Sequence, residues 1–180
     1  ESLKLDIPGY GLTALEACRL EGGFIVAGWD CATEADPESG FERSPFELGL
    51  AWLVNLDAVD FVGRDALREQ CETGHRYCLR SLTIDDGRKP DDDVELYGIV
   101  DGAEQQVGSI NCSAWSRTLG RMIGNVSIES RHAGIKSAWI ELDGERVPIR
   151  LVKSPLLNFE RAKQVPAPIQ TAPLFSQRYQ

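Results

Sequence analysis

Ser137–Val152 reads SAWIELDGERVPIRLV. Apolar and polar residues alternate on either side of Asp143-Gly144, which is the period of a half-buried strand. Asp-Gly between two such runs supplies the positive φ that both central residues of a type I′ turn require, so the stretch predicts a tight antiparallel hairpin. Working back from it, the runs Tyr77–Ile84, Val94–Val100, Gln106–Cys112 and Met122–Ile128 are short and rich in β-branched or aromatic residues. Asp86-Gly87 and Asp101-Gly102 punctuate them. With Ser137–Leu142 and Arg146–Val152 they make six strands, the pattern of a small antiparallel β-barrel or sandwich.

Before Arg76 the period changes. Pro8-Gly9 signals a turn, and Thr13 is placed to cap a helix in which Leu15, Cys18 and Leu20 lie near one face and which Gly22-Gly23 ends. Phe24–Trp29 (FIVAGW) is apolar enough for a buried strand, and Cys31–Arg43 is acidic, aperiodic and loop-like. Ser44-Pro45-Phe46-Glu47 fits a capping box with proline at the first helical position. A second strand is predicted over Ala51–Leu56 and a helix over Gly63–Cys71, stopped by Thr73-Gly74. The whole is an α+β chain, divided as 1–74, a barrel over 75–162, and an extended tail over 163–180.

Charge is unevenly spread over the 180 residues, whose formal net charge is -9. Glu1–Glu72 holds five Lys and Arg against fifteen Asp and Glu, a balance of -10; Thr73–Gln180 holds fourteen against thirteen, a balance of +1. No clustered positive face of the kind that phosphate backbones need is present, which argues against nucleic acid as a partner. Five cysteines without a C-x-x-C pair read as reduced thiols, not a zinc site. No basic leader and no run of about 20 apolar residues occurs, so the expectation is a soluble, cytoplasmic protein without a membrane role. Walker, GxGxxG and G-x-S-x-G motifs are absent, and no catalytic residue or metal ligand is assigned.

Three blocks carry more specific information: Ala14–Gly23 (ALEACRLEGG), Ser44–Val54 (SPFELGLAWLV) and Asp60–Leu67 (DFVGRDAL). In this order they resemble the folate-dependent aminomethyltransferase family, which includes the glycine cleavage T-protein, the folate domains of dimethylglycine and sarcosine oxidising enzymes, and demethylase-like branches. The resemblance continues more weakly through Val107–Ile128 and Val147–Asn158. It implies the C-terminal portion of a T-protein-like folate-binding domain followed by the barrel. It also implies tetrahydrofolate as cofactor, a small methylated substrate, and a chain supplying the N-terminal half of the fold, where the family's catalytic aspartate belongs.

Three residues are matched to folate contacts by this resemblance. Arg19 is the arginine of the RLE run; read without the family, it forms a local salt bridge with Glu16 or Glu21. Trp52 stands where the family commonly has an aromatic, a ring suited to pack on a pterin or aminobenzoyl group. Phe159 stands where some T-proteins have a tyrosine, so stacking survives there but a hydroxyl hydrogen bond does not. The functional expectation is the C-terminal half or subunit of a tetrahydrofolate-dependent one-carbon transferase or demethylase. A folate-binding or scaffold module without catalysis is the alternative.

Overall fold

The computed structural model describes residues 9–32, 40–135 and 138–158. Six strands, β1 (Tyr77–Ile84), β2 (Glu95–Val100), β3 (Ala103–Ser116), β4 (Arg121–Glu129), β5 (Ala138–Leu142) and β6 (Glu145–Val152), close into a barrel in the order β1-β4-β3-β2-β5-β6. Every pairing is antiparallel, and closure comes from β1 on β6, Ser81 opposite Val152 through Ile84 opposite Ile149. The predicted turn joins β5 to β6, with φ of 52° at Asp143 and 78° at Gly144. Leu82, Leu96, Val107, Ile110, Val126 and Ile140 are fully buried in the barrel core.

β3 is longer than its sequence pattern suggests because two bulges break the period. Val107 is the extra residue against β2, where Leu96 faces Gly108 and Tyr97 faces Gln106; Asn111 is the extra residue against β4, where Ile110 faces Val126 and Cys112 faces Asn125. A bulge shifts the alternation by one residue. Ile110 therefore enters the barrel core while Cys112 and Ala114 join Leu20 and Ile123 in a second cluster.

That second cluster is where α1 (Leu12–Gly22) packs on β3 and β4. The helix begins at Gly11 without a side-chain cap, so Thr13 lies inside it and is not its cap. Its packed side holds Glu16, Ala17, Arg19 and Leu20, while Leu15 and Cys18 are exposed, contrary to the face expected from Leu15, Cys18 and Leu20. A Schellman motif ends it: the Gly23 amide donates to the Leu20 carbonyl at 3.2 Å and the Phe24 amide to the Arg19 carbonyl at 2.8 Å. Gly23 has a φ of 74° and abuts Ser154 and Pro155, so a Cβ there would meet both strain and collision.

Neither strand expected before Arg76 forms. Phe24–Trp29 turns back on itself, leaving a lone bridge between Ala27 and Cys31; Ala51–Leu53 is a single 3₁₀ turn followed by irregular chain. Apolar runs this short have no neighbouring strand to pair with among the described residues, and backbone pairing requires one. The helix predicted from Gly63 is present as α2 (Arg64–Thr73), ending at Gly74. It buries none of its residues.

Candidate functional site

The RLEGG run is a docking device built residue by residue. Arg19 is buried and donates from one terminal nitrogen to Asp30 Oδ2 at 2.5 Å and the Phe24 carbonyl at 3.2 Å, and from the other to Glu16 Oε1 at 2.7 Å and Cys112 Sγ at 2.9 Å. The Trp29 ring lies 4.9 Å from its guanidinium carbon. Leu20 fills the cluster beneath α1, and Glu21 accepts a hydrogen bond from the Ser116 hydroxyl at 2.5 Å. The local pair with Glu16 thus exists, but Glu21 is turned to β3 and the dominant partner is the fully buried Asp30.

Asp30 is the hub. Its Oδ2 also accepts from the Val26 amide at 3.0 Å, and its Oδ1 from Asn125 Nδ2 at 2.8 Å; Asn125 Oδ1 in turn accepts from the Ser81 hydroxyl at 3.3 Å. The Cys112 S–H faces Asp30 Oδ1 at 3.6 Å, and burial first, then the Asp30 charge, push that thiol well above its ordinary range. A buried carboxylate is tolerated only when paired and hydrogen-bonded, which is what this constellation supplies. Within this constellation Arg19 Nε is left without a hydrogen-bond partner.

Glu47 builds the other side. The capping box is made, the Ser44 amide donating to Glu47 Oε2 at 2.9 Å and the Glu47 amide to the Ser44 hydroxyl at 3.3 Å, yet it closes a run of turns and only the single 3₁₀ turn at Ala51–Leu53 follows, not an α-helix. Gly49, with φ of 74°, sits just after it, and the Glu47 carboxylate is committed elsewhere. Its Oε1 accepts from the amides of Arg76 and Tyr77 at 3.2 and 3.1 Å, and its carbonyl from the Leu79 amide at 2.7 Å. The SPFEL turn is thereby fastened to the start of β1.

Two clefts flank this framework. One, of about 450 Å³, lies between α1 and β3 and is lined by Glu16, Trp29, Lys89, Cys112, Trp115 and Met122 among others. The other, of about 470 Å³, opens where β1–β6 pairing ends; Leu50 and Trp52 form one side, Gly23 and Pro155 another, and Ser81 and Asn125 lie at its base. Trp52 is 78% exposed, far from the core position that an apolar strand would have given it. Arg19 lines neither cleft but is linked to the second through Asp30, Asn125 and Ser81. Phe159 lies outside the described residues.

No protein-family model matches the sequence. Among curated proteins, the chain is 30% identical over 146 residues to the aminomethyltransferase of Pseudothermotoga lettingae, spanning 81% of this chain and 36% of that protein. It is 30% identical over 151 residues to the probable aminomethyltransferase of Halobacterium salinarum, spanning 84% and 36%, and 30% over 162 residues to the aminomethyltransferase of Stenotrophomonas maltophilia, spanning 89% and 40%. The chain belongs to the aminomethyltransferase family, as its C-terminal part. It spans less than half the length of these aminomethyltransferases. The fold agrees: the crystal structure of glycine cleavage system aminomethyltransferase T from Bartonella henselae superposes with a TM-score of 0.71 at 17% identity, over 87% of this chain and 43% of that one.

Sequence reading of the aminomethyltransferase motifs singled out Arg19 and Trp52 but missed Asp30, Glu47, Cys112 and Asn125. Glu47 carried a signal, its place in the capping box. Asp30 stood at the head of an acidic loop, where nothing local separates a buried carboxylate from solvated ones. Cys112 and Asn125 face each other across β3 and β4 only because of the bulge at Asn111, which the sequence does not announce.

Proposed function

We propose that this chain is the C-terminal part of a tetrahydrofolate-dependent one-carbon transferase and forms one wall of its folate site at the Trp52 cleft. The observation that carries the reading is the kinship with proteins named aminomethyltransferase over more than four-fifths of the chain. The cleft supports it: about 470 Å³ is within the ordinary range for small-molecule sites, and an aromatic ring that is 78% exposed offers a flat apolar surface. Bound tetrahydrofolate supplies the nitrogen that captures a methyl or methylene group from a small methylated donor. Trp52 holds and orients the rings, the Glu47 clamp fixes the turn that carries Trp52, and Arg19 sets the base of the cleft through Asp30 and Asn125. Orientation of this kind is a large part of what a group-transfer site contributes.

The same reading assigns a covering partner to the exposed apolar residues Leu53, Val59 and Val62, of which Val62 is wholly exposed. A polypeptide supplying the N-terminal half of the fold, joined to this chain or separate, is that cover. The test is calorimetric titration of the chain, completed by an aminomethyltransferase N-terminal half, with tetrahydrofolate, before and after Trp52→Ala. Binding that weakens at least ten-fold in the variant is expected; binding of equal strength in both overturns the placement of the site.

A further inference from the structure

Both histidines of the chain meet at the end of the barrel where β1 starts and β4 stops. Tyr77 stands opposite Glu129 there, and the Ser130 amide donates to the Arg76 carbonyl at 2.8 Å, so the 3₁₀ turn Ser130–His132 is drawn against the chain that enters β1. A third cleft, of about 400 Å³, opens at this junction and is lined by His75, Arg76, Tyr77, Glu129 and Arg131. Positive charge prevails in it. Glu129 is its one lining carboxylate and is held by Arg131 at 2.5 Å, whereas Arg76 has no carboxylate within ion-pair distance among the described residues and lies 5.4 Å from the centre of the Tyr77 ring. Arg43 packs on the same ring at 4.0 Å, and both oxygens of the Glu47 carboxylate are spent on backbone amides.

Beside these residues two buried polar atoms lack a hydrogen-bond partner, Ser130 Oγ and His132 Nε2. His132 is only 8% exposed, and its Nε2 lies 3.9 Å from Glu129 Oε2, beyond hydrogen-bond reach. Buried polar groups are normally satisfied, so an orphaned hydroxyl and imidazole next to an unspent guanidinium mark the place of an acceptor. We infer that Arg76, Arg131 and the Ser130–His132 turn form an oxyanion site, separate from the Trp52 cleft, which takes the phosphate group of a small phosphate ester. Two guanidinium groups, a hydroxyl and an imidazole offer more donors than the two oxygens of a carboxylate use, and they suit the three terminal oxygens and double charge of a phosphate. The cleft is larger than a phosphate and leaves room for the body of the ester. This inference is independent of the folate reading, since the two clefts share no lining residue.

The test is titration of the 180-residue chain and its Arg76→Gln and Arg131→Gln variants, at fixed ionic strength, with AMP, inorganic phosphate and adenosine, read by calorimetry and by the His132 ring resonances. AMP and phosphate should bind and adenosine should not, and each variant should lose about ten-fold in affinity for both anions, as expected for loss of one charge-assisted contact. Anion binding should also shift the His132 Nε2 resonance, which diffuse attraction to surface arginines leaves in place because the imidazole is shielded from solvent. Arg76→Gln should unfold at the parent's temperature, since the Arg76 side chain is exposed and donates no described hydrogen bond. AMP bound more tightly than phosphate supports the ester as the ligand; equal affinity keeps the oxyanion site and overturns the ester. Binding of neither anion, affinities unchanged in both variants, or a His132 resonance that stays still while phosphate binds overturns the site. None of these outcomes bears on tetrahydrofolate at Trp52.

Discussion

Arg19 and Asp30 meet at 2.5 Å although they stand eleven positions apart across the glycine end of a helix, and neither is accessible to solvent beyond a few per cent. The pair ties α1, the Val26–Asp30 turn and the outer faces of β3 and β4 into one unit. Removing one member of a buried pair leaves the other charged and unpaired, which costs about 3–5 kcal/mol. Asp30→Ala should therefore lower the urea-unfolding free energy by that amount. Replacing both residues by apolar ones, Arg19→Met with Asp30→Leu, should cost clearly less than the single change. A single variant as stable as the parent would show that the network contributes nothing to the fold.

Glu47 is the acceptor for three backbone amides, those of Ser44, Arg76 and Tyr77. Glu47→Ala orphans them, and a buried unsatisfied donor costs about 1–3 kcal/mol. A loss of about 2–3 kcal/mol is expected, accompanied by faster hydrogen exchange at Arg76 and Tyr77. Unaltered exchange at those two amides would mean that the clamp is not what holds the turn on β1.

The Cys112 thiol gives the chain an alkaline signature. Its folded value is pushed well above the ordinary range, by burial and then by Asp30, whereas in the unfolded chain it ionises near ~8.5. Above that pH the unfolded state binds fewer protons than the folded one, so stability falls by about 1.4 kcal/mol per pH unit for this group; below it the contribution is fully present. Burial also raises Cys31 and Cys78, so several thiols share the slope. Urea unfolding between pH 8 and pH 10 should show a shallower decline in Cys112→Ala than in the parent. Identical slopes would place Cys112 in contact with solvent.

α2 buries no residue and is ten residues long, a length at which an isolated helix is marginal in water. Its Arg64 and Arg68 pair with Asp60 and Asp65 at 3.3–3.7 Å on the surface, contacts that add little. Hydrogen exchange should therefore be fast across 50–74 and slow in β1, β3 and β4. Protection of α2 equal to that of the barrel would contradict an open face on this helix.

The barrel was legible because its signals are local: Asp143-Gly144 dictates a hairpin, and the strands around it keep the period of two except at Val107 and Asn111. The segment before Arg76 was less so. Phe24–Trp29 and Ala51–Leu56 have the composition of strands, but a strand is a pairing and not a composition, and the described residues offer them no neighbour. At the site, the motif residue Trp52 could be named from the sequence, while its exposure in a cleft could not. Arg19 could be named too, yet its commitment to Asp30 depends on a turn and two strands that only the fold assembles. Asp30 and Asn125, 95 residues apart, were beyond any local pattern.

As proposed, this chain supplies one wall of a folate site that the N-terminal half of a one-carbon transferase completes. The most direct measurement is tetrahydrofolate-dependent transfer from a panel of methylated amines by the chain alone, by an aminomethyltransferase N-terminal half alone, and by the two together or joined in one polypeptide. No turnover is expected from either part, with a stable complex burying well over ~2,000 Å² and transfer by the pair that drops when Trp52 is replaced by alanine. Turnover of about 1 per second by this chain alone, or failure of the completed protein to bind tetrahydrofolate, would contradict it.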